Sequence, residues 1–134
     1  MQIIDNELIN KLYQQAEVSD RKRSHHQLHG SHQDKVQRLL IAFVKGSYVE
    51  PHFHELPHQW EMFNVIEGCV KVCVYSDIGE VIEELFFGLE ENNKFVEFSP
   101  YEIHSVECIS EKALMLEIKE GPFDSIFAKT FPQW

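Results

Sequence analysis

The chain has 134 residues, 43% of them hydrophobic and 12% aromatic, which is enough for one domain around a single core without disulfides. A formal net charge of −10 excludes nucleic acid and anionic membrane surfaces as natural partners. The three cysteines, Cys69, Cys73 and Cys108, lack paired spacing and read as reduced thiols of a cytoplasmic protein. No stretch approaches the roughly 18 apolar residues of a membrane span, and the early charges in "MQIIDNELINKLYQQ" do not fit a signal peptide.

Residues 5 to 18 are expected to form a helix. Asp5 can cap it, and Leu8, Ile9, Leu12, Tyr13 and Ala16 recur at helical spacing. From 19 to 35 the chain is polar and without apolar period, so a surface loop is expected. Its basic run Arg21-Lys22-Arg23 reads as a solvated turn, with an anion site as the alternative. Its histidines, His25, His26, His29 and His32, read as a polar loop, with metal binding as the alternative.

From residue 36 the period changes to two, with turn signals at short intervals, the pattern of an all-β sandwich or barrel. Eight strands are expected: 36–44, 48–54, 60–67, 69–75, 81–89, 94–98, 104–109 and 113–119. Pro51 marks the second as an edge or bulged strand. In the last strand Leu114, Leu116 and Ile118 are expected to face inward, and Met115, Glu117 and Lys119 outward. Strands such as Leu39–Val44 are apolar on both faces and need covering by the helix, the tail or a second subunit. The tail, 120–134, is expected to be irregular and to pack Phe123, Phe127, Phe131 and Trp134 onto the barrel.

The stretch "PHFHELPHQWE", residues 51 to 61, concentrates imidazoles and carboxylates. His52 and His54 lie two apart on an expected strand, so both rings point to one side. Glu61 shares a strand face with Phe63 and Val65, where a carboxylate is costly unless paired or metal-bound. His104 shares a face with Val106 and Cys108. Together these four residues are candidate metal ligands.

The pattern of Gly46, His52-Phe53-His54, Glu61 and Gly68 resembles the first cupin motif, and "FSPYEIHSVEC" (98–108) resembles the second. The resemblance extends to the WbuC-type cupin metalloproteins through "RKRSHHQLH" (21–29), "VQRLLIAFVKGSYVEPHFH" (36–54), "WEMFNVIEG" (60–68), "IKEGPFD" (118–124) and "FPQW" (131–134). It implies one domain over 1–134: an N-terminal helix and loop (1–35), a double-stranded β-helix or jelly-roll barrel (36–119) and a tail (120–134). It also implies one divalent metal held by His52, His54, Glu61 and His104, and a homodimer. Arg23 and His29 are placed by the resemblance near the barrel mouth, with Arg23 a partner for a carboxylate or phosphate. Three departures stand out. Six residues separate His54 from Glu61, which could bring His58 near the metal. Tyr101 occupies a glycine position of the second motif, and Cys108 stands where an asparagine often sits.

Nitrogen and oxygen ligands without thiolate suit Fe(II), Mn(II), Ni(II), Co(II) or Zn(II). Open coordination positions permit Lewis-acid chemistry, water activation or dioxygen binding. One expectation is therefore a metal-dependent isomerase or oxygenase-type enzyme acting on a sugar or sugar nucleotide in bacterial surface-polysaccharide metabolism, with His58 and Tyr101 as further ligand contacts. The alternative is a non-catalytic ligand-binding or regulatory module.

Overall fold

The computed structural model describes residues 1–134. Helix α1 (Asn6–Val18) starts where expected, because the Asp5 carboxylate accepts the otherwise unpaired backbone N–H of Leu8 at 3.0 Å. It stops at Ser19, whose backbone turns extended. Leu12, Tyr13 and Ala16 form its buried stripe.

Nine strands follow: β1 (Arg23–Gln27), β2 (Val36–Val44), β3 (Tyr48–His52), β4 (Glu61–Glu67), β5 (Cys69–Tyr75), β6 (Val81–Gly88), β7 (Phe95–Phe98), β8 (Ile103–Cys108) and β9 (Lys112–Glu120). They form a five-stranded sheet in the order β1-β2-β9-β4-β7 and a four-stranded sheet in the order β3-β8-β5-β6. Strands remote in sequence thus become neighbours, and the inner faces of both sheets close on one core. Phe43, Phe63, Val65, Val70, Val72, Phe98 and Val106 are among its buried side chains. Each Val or Phe so buried contributes about 1.5–3 kcal/mol.

A second apolar layer lies outside the barrel. Leu12 and Tyr13 of α1 cover Leu40, Ala42 and Leu114. This explains why β2 is apolar on both faces: one faces the barrel interior, the other the helix. The Tyr13 hydroxyl donates to Glu67 at 2.8 Å and ties the helix to β4.

Two expectations change. The segment 19–35 is not all loop, since β1 pairs residue for residue with β2, from Arg23 opposite Phe43 to Gln27 opposite Leu39. Its period of two is real but is carried by the polar residues Arg23, His25 and Gln27, so an apolar pattern could not reveal it. The face assignment of β9 is also reversed. Leu114 and Leu116 pack under α1, whereas Met115, Glu117 and Lys119 face the interior. The helix supplies an apolar cover outside, so the polar face of β9 is free to line the lumen.

Pro51 sits where its missing N–H does least harm. β3 is an edge strand, and its register with β8 slips between Val49 and His52. Gly68 has φ +72°, and a Cβ there would collide with the Lys112 carbonyl and lie 2.6 Å from Ser110 Oγ. Only glycine serves that turn between β4 and β5.

The tail returns to the barrel as expected. Phe53 and Thr130 exchange two backbone hydrogen bonds of 2.9 Å, and Trp134 packs on Tyr75 and covers Gly79. All three cysteines are free thiols. No helix is long and apolar enough to cross a membrane.

Candidate metal centre and the barrel cavity

Four donors converge from three strands and a loop. His52 ends β3, His54 follows it, Glu61 opens β4 and His104 lies on β8. The β3–β8 register sets His52 opposite His104. All four are buried, and one ligand atom from each lies within 4.8 Å of the others. Glu61 Oε2 is 3.0 Å from His54 Nε2 and 3.3 Å from His104 Nε2.

The backbone sets the imidazole tautomers. His52 Nδ1 lies 2.9 Å from the Glu50 carbonyl oxygen and His104 Nδ1 lies 3.0 Å from that of Glu102. A carbonyl only accepts, so each Nδ1 carries the proton and each Nε2 keeps a free lone pair. Phe98 stacks on His104 at 3.8 Å with an interplanar angle of 5°, which fixes the ring. His104 Nε2 is buried without a hydrogen-bond partner. A buried unpaired nitrogen costs about 1–3 kcal/mol, and a cation at that position would remove the cost. The donor set therefore fits a divalent metal, and His52, His54, Glu61 and His104 are the residues that could hold it.

Burial alone would raise the Glu61 carboxyl. The close contacts with Glu117, His104 and His54 outweigh it and hold Glu61 well below the usual carboxylate range. Glu117 moves the opposite way, because burial and the neighbouring Glu61 charge both push its carboxyl upward. Burial, then repulsion from His104 and Lys129, takes the His52 imidazole down to about 3, so its neutral ring is the form present at neutral pH.

Three of the four donors, His52, Glu61 and His104, also line a cavity of about 590 Å³ within the barrel. The size falls in the range of roughly 300–1,000 Å³ found for small-molecule sites. Its apolar wall includes Leu39, Ile41, Phe43 and Val106. Arg23 and His29 line it as well, and so does Arg21. Of the basic run, Arg21 and Arg23 line the cavity and Lys22 does not, while Arg21 and Lys22 are both exposed in the turn before β1.

His58 and Tyr101 do not line the cavity. The six-residue turn before Glu61 spends its side chains elsewhere: Gln59 accepts from the Leu56 N–H at 2.9 Å and donates to the Phe127 carbonyl at 2.8 Å. The longer turn therefore anchors the tail, and His58 stays outside the donor set. Tyr101 adopts φ +72°, the left-handed conformation natural to glycine. Its N–H donates to the His54 carbonyl at 2.8 Å and its ring stacks on Phe53. Tyr101 positions His54 through the backbone, and its side chain is away from the cavity.

Sequence reasoning missed Glu117, Lys119 and Lys129, which also line the cavity. Glu61 pairs opposite Lys119, and Phe63 opposite Glu117, in the β4–β9 register. Lys119 Nζ sits 3.5 Å from Glu117 Oε2. The available signal was a Glu and a Lys two apart within an otherwise apolar strand. Lys129 lies on the irregular tail and left no periodic trace.

Residues 4–87 match the family model described as "Domain of unknown function (DUF6016)". No curated protein matches the sequence. Among solved structures, the capsular polysaccharide assembling protein CapF of Staphylococcus aureus is similar at a TM-score of 0.70 and 18% identity, over 87% of this chain and 33% of CapF. CapF has also been solved with the inhibitor 3-isopropenyl-tropolone. A cupin superfamily protein of Desulfitobacterium hafniense DCB-2 is similar at a TM-score of 0.62 and 16% identity, over 90% of this chain and 93% of that one. An oxalate decarboxylase of Lactobacillus farciminis, in a formate complex, is similar at a TM-score of 0.56 and 17% identity, over 73% of this chain and 27% of the enzyme. The chain thus spans about a third or less of CapF and of the decarboxylase, and these similarities establish its fold. With the family model covering more than half of its residues, the chain belongs to the DUF6016 family, and it carries that domain on a cupin fold.

Proposed function

We propose that the protein binds one divalent metal through His52, His54, Glu61 and His104, and that this centre holds a small polar molecule in the barrel cavity. The observation that carries this reading is the convergence of four buried donors, one of them the unpartnered His104 Nε2, at a cavity of about 590 Å³. A closed structural site needs no such space, whereas a ligand-binding centre does. A bound metal would supply Lewis acidity and a position for the ligand's oxygen atoms. The protein's own residues do the rest: Ile41, Phe43 and Val106 exclude water from one wall, and Glu117 with Lys119 present polar contacts on another.

A sugar or sugar nucleotide of surface-polysaccharide metabolism is the proposed ligand class. The resemblance to WbuC-type cupins supports it, as does the fold shared with a protein described as assembling capsular polysaccharide. Metal-loaded protein, screened against sugars and nucleotide sugars, is expected to show saturable binding and a raised melting temperature. A ligand at a hundred times its Kd adds about 2.7 kcal/mol of stability. Product formation that disappears in His54→Ala identifies an enzyme, and binding without product identifies a module. Fully metal-loaded protein that binds no member of the panel would contradict the proposal.

A further inference from the structure

The cavity wall carries a set of cations that the metal centre does not explain. Arg21, Arg23, Lys119 and Lys129 all line it, against only two carboxylates, Glu61 and Glu117. This concentration of cations occurs in a chain whose formal net charge is −10. The cations come from three separate segments: the turn and strand at β1, strand β9, and the tail. Lys119 is paired with Glu117, but Arg21, Arg23 and Lys129 form no ion pair with any carboxylate. Arg23 has only backbone partners, the carbonyls of Arg21 at 3.5 Å and Tyr48 at 3.3 Å.

A buried polar atom also lines the cavity, at the far end of β1 from Arg23. His29 lines this cavity and is only 6% exposed. Its Nδ1 is engaged by the backbone of Arg38 at 2.9 Å, and its Nε2 has no partner. Buried polar atoms are rarely left unpaired unless something else satisfies them.

The charges also act on one another. Crowding by the surrounding wall, then repulsion from Arg21, Arg23, Lys129 and Lys119, lowers the His25 imidazole to about 4, although part of the ring reaches solvent. Lys129, although its side chain reaches solvent, is lowered by the surrounding protein, with Arg23 and Lys119 adding to it against the pull of Glu61 and Glu117. Mutual repulsion of this kind is relieved when an anion enters.

We propose that Arg21, Arg23 and Lys129 form an anion subsite, so that the cavity takes a small organic anion: one end on the metal, its carboxylate or phosphate on these cations. The guanidinium fork matches either oxyanion, and Lys129 adds a point charge from the tail. A positive concavity in an acidic protein also draws anions selectively from solution. The proposal rests on the metal-centre reading for the ligand's first end only; the cationic set stands on its own residues.

The test is titration calorimetry of the full chain with four probes: glucose, glucuronate, glucose 1-phosphate and inorganic phosphate. Metal content is measured on the same samples. Both sugar anions are expected to bind metal-loaded protein at least about tenfold more tightly than glucose, the worth of one charged hydrogen bond. Their ranking separates a carboxylate from a phosphate ligand. Arg23→Gln and Lys129→Gln are each expected to weaken the anions about tenfold while metal content stays at the wild-type level. Circular dichroism confirms that both variants fold. Inorganic phosphate addresses the cationic set in metal-free protein, where it is expected to bind wild type and to be weakened in both variants. Equal affinity for glucose and the anions, unchanged anion affinity in both folded variants, or no binding of any anion at millimolar concentration overturns the anion subsite. Absence of metal in the same samples overturns the metal centre instead.

Discussion

His104→Gln is expected to lower divalent-metal affinity by more than about 100-fold, beyond the 10- to 100-fold typical of residues that merely support a ligand. His104 is fully buried, and its Nδ1 is committed to the Glu102 carbonyl while its Nε2 has no protein partner. Glutamine cannot present an aromatic nitrogen at that place. It also forfeits the face-to-face contact with Phe98, so part of the effect is structural. His54→Gln separates the two contributions. His54 lies on the loop after β3 and has no such stack, yet it contacts Glu61 at 3.0 Å. The two variants should lose metal to a similar degree, while urea denaturation of the metal-free proteins should show the larger loss of stability, about 1–3 kcal/mol, only for His104→Gln. Competition against a chromophoric chelator reads the affinities. Wild-type affinity in either folded variant would remove that residue from the donor set.

Metal removal is the second large effect. Metal-free protein retains Glu61 and three imidazoles in a buried cluster, with His104 Nε2 unsatisfied. A ligand that binds only the folded state adds about 4 kcal/mol at a thousand times its Kd. For a domain of this size that corresponds to roughly 10–15 °C in Tm. Chelator-treated protein should therefore melt that much lower than protein refilled with Mn(II), Co(II), Ni(II), Fe(II) or Zn(II), and refilling should restore the difference. In His104→Gln the same treatments should leave Tm unchanged. A wild-type Tm indifferent to chelator and metal would contradict the donor-set reading.

Much of the fold was legible because its signals are local. Asp5 and the stripe of Leu12, Tyr13 and Ala16 marked α1, and alternation marked β2 and β4 to β9 within one or two residues of their ends. The four donors were legible because a histidine or glutamate on an apolar strand face demands an explanation, and the structure gathers them within 4.8 Å. What failed depended on partners. β1 is held by backbone pairing to β2, and its inner residues are polar, so hydrophobic periodicity was blind to it. The inner face of β9 was misassigned because its apolar side packs under α1, a contact between residues about a hundred positions apart. The missed cavity residues follow from the same causes: Glu117 and Lys119 lie on the reversed face, and Lys129 lies on a tail without period.

Crystals grown with Mn(II) or Co(II), measured at the metal's absorption edge, test the central claim most directly. The expected result is one anomalous peak per chain, about 2.1 Å from a nitrogen of His52, His54 and His104 and from a Glu61 oxygen. Density elsewhere, or none among these four side chains at full metal concentration, would contradict it.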